Sequence, residues 1–197
     1  MITDILLLKA LARRFDRCSY LEIGSFRGES ISNVADVAAD CTSVTLSEAE
    51  MKAFNLPEGF IKAHGIFSNS KPNITTHLHN SLTFDFSSLN KKFDLIFVDG
   101  DHEYKSVVQD TKNVFKLLKN NDSIIVWHDY GLHPEDVRHE VLAAILEGTP
   151  KEYHDNLYHV SNTMCAIFIR GKFATTFTKF PTYPNKVFSV NVDAKKM

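Results

Sequence analysis

Apolar positions along the chain fall into short runs alternating with helical patterns. "SYLEIG", "TSVTL", "NITTHLH", "FDLIFVD" and "SIIVWH" are short runs rich in β-branched or aromatic residues that stop at glycine or polar groups, as strands do. Between them, "ESISNVADVAA" sets Ile31, Val34, Val37 and Ala38 on one helical face. "YKSVVQDTKNVFKLLKN" and "PEDVRHEVLAAILEG" predict two further helices, and "ILLLKALARRF" predicts an amphipathic helix within residues 1–16. "NLYHVSN" and "MCAIFIRG" read as a β-hairpin, and "KVFSVNVDA" alternates enough for one more strand. "FDLIFVD" is almost continuously apolar, which fits a strand covered on both faces. Strands separated by helices predict an α/β fold, because parallel neighbours need long crossovers. The expected architecture is a doubly wound, mostly parallel sheet in three α/β/α layers, with a C-terminal antiparallel hairpin.

Length and charge narrow the picture. A chain of 197 residues with 44% hydrophobic content buries one substantial core, so residues 1–197 read as a single domain. A net charge of -2, with scattered Lys and Arg, offers no basic field for nucleic acid. Cys18, Cys41 and Cys165 are odd in number and far apart, without metal or dithiol spacing, and suit a reducing cytoplasm. The apolar start is preceded by Asp4, interrupted by Lys9 and too short to cross a bilayer, so no membrane association is expected. Residues 48–72 exceed an ordinary connection, and Met51, Phe54, Phe60 and Phe67 suit either a lid over a ligand or a decorated crossover. The extension 172–197, with Pro181 and Pro184, has three readings: part of an acceptor site, an edge strand, or the contact of a homodimer.

In open α/β sheets the ligand lies beyond the carboxyl ends of the strands, where strand order reverses. Here those ends carry Glu22, Gly24 and Gly28; Ser47 and Glu48; Asn80 and Ser81; Asp99, Gly100, Asp101 and His102; and His128, Asp129 and Tyr130. Carboxylates gathered in a partly desolvated crevice need a cation or donors, so the expected ligand brings positive charge. A dinucleotide would want G-x-G-x-x-G, whereas Phe26 stands between Gly24 and Gly28 and no Walker lysine follows. S-adenosylmethionine fits better. Its ammonium suits Glu22, its carboxylate suits backbone N–H groups at the next helix start, its ribose needs an acceptor after the second strand, and its adenine needs polar contacts after the third. The cofactor set expected from these tips is Glu22, Gly24, Ser25, Gly28, Ser30, Glu48, Asn80, Ser81, Asp99 and Asp101.

These residues resemble the class I S-adenosylmethionine-dependent methyltransferases, over roughly Arg17 to Gly171. "LEIGSFRGES" is similar to that family's glycine motif, matching its first and last glycines. "FVDGDHEY" with "WHDY" resembles small bacterial members and, more distantly, catechol and caffeoyl-CoA O-methyltransferases. The resemblance implies a Rossmann-like fold and transfer of a methyl group to a small-molecule acceptor, with oxygen as the first guess for the accepting atom. It further implies a divalent cation such as Mg²⁺ on Asp99 and Asp129, with Tyr130 where those relatives carry Asn. The ribose acid maps onto Ser47 or its neighbour Glu48, and the adenine acid onto Asn80. Asp101 or His128 would complete a metal shell, and a histidine there would point to a transition metal.

Methyl transfer is an in-line displacement, so the protein mainly orients the partners and supplies a base, for which His128 and His102 are the candidates. Structural readings stand beside these. Asp99 and Asp101 could cap the following helix, His102 and His128 could be satisfied structural residues, and His77 and His79 read better as structural than as ligands. Trp127 suits the core or a pocket wall. A nicotinamide-dependent oxidoreductase and a non-catalytic cofactor-binding protein are the competing functions.

Overall fold

A computed structural model describes residues 1–134, 136–176 and 189. The chain runs α1 (Ile2–Ala12), β1 (Ser19–Ile23), α2 (Glu29–Ala35), β2 (Asp40–Thr45), α3 (Glu48–Ala53), α4 (Glu58–Ala63) and β3 (Ile74–Leu78). It continues with β4 (Leu95–Val98), α5 (Tyr104–Phe115), β5 (Ile124–Trp127), β6 (Gly131–His133), β7 (Asp136–Val137), α6 (His139–Gly148), β8 (Leu157–His159) and β9 (Ala166–Phe168). The main sheet has the order β3-β2-β1-β4-β5-β9-β8. The first five of these pair in parallel, whereas β9 runs antiparallel to both β5 and β8. Strand order therefore reverses between β1 and β4, the position where such sheets open a ligand crevice. The mostly parallel sheet and its antiparallel hairpin agree with the expected fold class.

Alternation along the buried strands sends side chains to two apolar layers. Tyr20 faces a cluster with Leu8, Leu11 and Ile31 from α1 and α2, while Leu21 and Ile23 face a cluster with Val107, Val114 and Ile145 from α5 and α6. α6 lies close to α5 because Gly148 carries no side chain: a Cβ there would meet Thr111 Cβ at 2.5 Å. Thr111 in turn accepts a 3.0 Å hydrogen bond from Trp127 Nε1, which places this fully buried ring in the core.

Two expectations about the elements change. The helix expected from Pro134 begins only at His139, and the preceding segment turns back as the short β6–β7 pair. Gly131 tucks so tightly that a Cβ would lie 2.7 Å from the His133 carbonyl oxygen, and the Arg138 N–H is spent on the Tyr130 carbonyl at 2.8 Å. The expected strand "KVFSVNVDA", and most of the extension 172–197, lie outside the described residues. Residues 48–72 form α3, α4 and a turn that is stitched to the glycine loop, with Gly65 N–H donating to Phe26 O at 2.8 Å and Phe67 N–H to Arg27 O at 2.9 Å. Among the described residues no helix is long and apolar enough to cross a membrane.

Gly24 joins the two halves of the sheet. Its φ is +86°, and a Cβ would lie 2.2 Å from the Asp99 carbonyl oxygen, so both the backbone conformation and the neighbour exclude a side chain. Gly24→Ala should cost at least about 2 kcal/mol in denaturant unfolding, whereas Gly59→Ala, with nothing within 4 Å, should be neutral or stabilising by up to ~1 kcal/mol. Equal stability of the two variants would contradict the close approach at Gly24.

Candidate active site

Two cavities open at the reversal point. The first, of about 450 Å³, is lined by Thr45, Met51, His64, Asn80, Ser81 and Asp101 among others. The second, of about 480 Å³, takes its walls from Asp4, Leu8, Ser25, Arg27, Ser30 and His128. Both reach Gly24, Phe26, Phe60 and Asp99, and the rings of Phe26 and Phe60 stack with centroids 3.7 Å apart. The stacked pair therefore stands where the cavities meet. Phe26 holds this position with φ of +37°, uncommon for a non-glycine residue. Of the insertion's large apolar residues, Met51, Phe54 and Phe60 line the first cavity, and Phe67 does not.

Glu22 ends β1 completely buried, and its carboxyl accepts hydrogen bonds from Tyr20 Oη and Ser30 Oγ, both at 2.6 Å. Tyr20 reaches it because residues two apart share a strand face. Burial raises the Glu22 pKa to about 8, against the opposing hydrogen bonds and with help from the Asp99 charge. Glu22 was expected to meet the cofactor's ammonium directly. In the structure it is fully buried and stands behind Ser30, which lines the second cavity.

The acids after β4 and β5 converge on His128. Its Nε2 lies 3.3 Å from Asp4 Oδ2, and its Nδ1 lies 3.0 Å from Asp99 Oδ1 and 3.5 Å from Asp129 Oδ1. The Nδ1 contacts are ion-pair approaches without hydrogen-bond alignment. Asp129 reaches inward from a left-handed backbone, φ +54°. Burial pulls the His128 pKa down, but Asp129, Asp4 and Asp99 together push it up to about 11. An imidazolium held this firmly is a poor proton acceptor at neutrality, which opposes the general-base role expected of His128. Asp99, His128 and Asp129 each present one ligand atom, and these atoms all lie within 4.8 Å of one another. The buried Nδ1, lacking an aligned partner and facing two carboxylates, fits a divalent cation on these residues. Tyr130 packs instead against His159, so the third candidate ligand is His128, one position before Asp129.

The other expected residues divide. Ser25 lines the second cavity and accepts a hydrogen bond from Ser43 Oγ at 2.8 Å, while Gly28, φ +85°, packs against Ser68. Asn80 and Ser81 line the first cavity. Asn80 Oδ1 accepts from Leu82 N–H at 2.9 Å, and Ser81 Oγ donates to Asp110 at 3.2 Å. Asp101 lines the cavity while bracing the start of α5, accepting from Glu103 N–H at 3.0 Å and Ser106 Oγ at 2.9 Å. His102 is exposed beside the small cleft of Asp99 and Asp129. Glu48 is not at the site: its side chain points to solvent, 65% exposed, and pairs with Lys52 one helical turn on. Ser47 is likewise spent, capping α3 in a reciprocal pair with Glu50. Asp4, His64 and Asp110 were missed. Asp4 meets His128 across 124 positions, a separation that leaves no local sequence signal.

The match to known proteins follows the same geometry. Residues 21–130, more than half of the chain, match the model of a family described as a methyltransferase domain. The chain belongs to this family. An uncharacterized protein of Acanthamoeba polyphaga mimivirus is 27% identical over an alignment of 134 residues, with 63% of this chain and 58% of that protein covered. The chain thus spans less than two thirds of that relative's length. Among solved structures, an O-methyltransferase from Bacillus cereus in complex with S-adenosylhomocysteine superposes with a TM-score of 0.56 at 15% identity, covering 86% of this chain and 82% of that one. An O-methyltransferase of tomaymycin synthesis from Streptomyces achromogenes, in complex with S-adenosylmethionine, gives 0.57 at 14% identity over 87% and 81%. At these identities the likeness is one of fold, and it is the Rossmann-like class I methyltransferase fold.

The raised Glu22 pKa has a stability consequence. Between the ordinary value of 4.5 and about 8 the unfolded chain releases a proton that the folded chain keeps, so stability falls as pH rises through this window. In Glu22→Gln that part of the pH dependence should vanish, so the wild type should lose stability relative to the variant from about pH 5 to pH 8 in parallel urea titrations. A constant difference between the two proteins across the window would contradict a neutral buried Glu22.

Proposed function

We propose that the protein transfers a methyl group from S-adenosylmethionine to an oxygen of a small-molecule acceptor, assisted by a divalent cation on Asp99, His128 and Asp129. The observation that carries this reading is the pair of cavities meeting at Gly24 and Asp99, with Asp99 bordering both and grouped with His128 and Asp129 as candidate cation ligands. The two joined cavities have room for a cofactor that runs from one into the other and for a second substrate beside it. Membership of the methyltransferase family favours this reading over the nicotinamide alternative.

The acceptor oxygen attacks the methyl carbon in line with the sulfur, the carbon–sulfur bond breaks, and sulfur keeps the electron pair, leaving S-adenosylhomocysteine. The sulfonium charge disappears in this step, so the chain's task is to align the reactants and exclude water. Gly24 lets the cofactor reach the backbone at the strand tip. Ser30, oriented by Glu22, presents its hydroxyl to the amino-acid end. Asp99 borders both cavities and would face the reacting centre. A bound cation would lower the pKa of an acceptor hydroxyl and replace the proton that His128 otherwise carries. His102, exposed beside the cleft, then stays the candidate base of the two histidines after β4 and β5. Phe54 and Phe60 of the insertion would cover the cofactor.

Calorimetry should show saturable binding of S-adenosylhomocysteine and no heat with NAD, and Asp129→Asn should weaken Mn²⁺ binding at least tenfold while leaving S-adenosylhomocysteine bound. Binding of NAD in place of S-adenosylhomocysteine would overturn the cofactor, and unchanged Mn²⁺ affinity would remove the cation. Methyl transfer to no member of a mixed set of hydroxylated acceptors would favour a non-catalytic binding protein. Proteolysis within residues 54–60 should slow when S-adenosylhomocysteine is added, and equal cutting with and without it would count against a lid.

A further inference from the structure

We infer that His64, carried by the insertion and paired with Thr45 at the tip of β2, is the residue that recognises the ribose diol of the cofactor. This assignment rests on the cofactor reading above and adds a residue from outside the strand tips. In doubly wound sheets a ribose lies off the end of the second strand, usually against an acid. Here that acid is absent from the cavity: Glu48 points to solvent with Lys52, Ser47 caps α3, and Glu50 is spent on the Ser47 and Asn80 amides.

What the first cavity does present at this end is Thr45 and His64. Thr45 closes β2, and its Oγ1 lies 3.1 Å from His64 Nε2. Of the neighbouring polar side chains, Ser81 donates to Asp110, Asp101 accepts from Glu103 N–H and Ser106, Asn80 Oδ1 accepts from Leu82 N–H, and His79 Nδ1 lies 3.0 Å from the Asn80 carbonyl oxygen. His64 sits where α4 ends, and Gly65 next to it is tied to the Phe26 carbonyl, so the backbone that carries the imidazole is anchored to the glycine loop. Burial holds its pKa below the ordinary value, which keeps the ring neutral at physiological pH. A neutral imidazole and a hydroxyl between them offer both a donor and an acceptor, the complement of two adjacent hydroxyls. Hydrogen bonding by a neutral pair discriminates a diol from its deoxy analogue because the analogue leaves the buried partner unpaired.

The test compares S-adenosylhomocysteine with its 2′,3′-dideoxyribosyl analogue by calorimetry on wild type, His64→Gln, His64→Phe and Thr45→Val. Wild type should prefer the natural ribose by about tenfold or more. His64→Phe should lose most of that preference while binding the dideoxy analogue as the wild type does, and His64→Gln, which retains a donor and an acceptor, should keep part of it. Thr45→Val should fall between wild type and His64→Phe. Equal weakening of both ligands in His64→Phe would make the residue merely structural and overturn the assignment, as would an undiminished preference in that variant. Failure of wild type to bind S-adenosylhomocysteine at all would overturn the cofactor reading and this assignment together. Intact binding with an unaffected ribose preference would overturn the His64 assignment alone.

Discussion

Three carboxylates brought against one partly buried imidazole set the terms for this molecule. Asp4, Asp99 and Asp129 surround His128 where β4 and β5 end, and carboxylates so crowded and shielded from water are tolerable only around positive charge. The arrangement needs α1 seated on one sheet face so that Asp4 reaches across, and β4 beside β5 so that Asp99 meets His128. Asp4 also accepts the Met164 N–H at 3.0 Å, tying the connection between β8 and β9 to the same cluster. Even with His128 cationic, the acids outnumber the imidazolium, and this surplus is what makes a divalent cation, or an approaching sulfonium, electrostatically welcome.

The other half of the site is organised by steric closeness. Gly24 can pass the Asp99 backbone only because it lacks a Cβ, and that passage brings the cavity on the β2 side into contact with the cavity on the α1 side. Phe26 then fills the shared boundary by stacking on Phe60 from the insertion. The loop resembles a phosphate-binding turn in outline, yet it carries an aromatic wall where a dinucleotide loop would leave room for a pyrophosphate. The same loop anchors the insertion through the Phe26 and Arg27 carbonyls, so covering the cofactor and shaping the strand tip are mechanically linked.

Much of this was legible in residue order. Runs such as "SYLEIG" and "FDLIFVD" identified central strands because both sheet faces are covered, and turn residues after them marked the tips. Less legible was what each tip residue does. Glu48 has the right chemistry and neighbourhood for a ribose contact, yet the α3 helix begins there and rotates it to solvent, leaving Thr45 and His64 to face the cavity. Glu22 looks like a direct ligand and is a buried support for Ser30. His128 looks like a base because an isolated imidazole is one, and the three carboxylates facing it push its pKa up. The late start of α6 was hidden because Asp136 and Val137 pair with His133 and Gly131 in a short antiparallel ladder that helical periodicity does not register.

By itself the sequence determined the alternation of strands and helices, the parallel core, the polar edge of that sheet and the absence of a phosphate-gripping loop. These follow from hydrophobic period and turn chemistry, which act between near neighbours. Tertiary structure alone decided which polar groups face a cavity, which are consumed inside the core, and which acids surround His128. Those outcomes depend on distances between residues as far apart as positions 4 and 128, and electrostatic interaction and desolvation are functions of such distances and not of order along the chain.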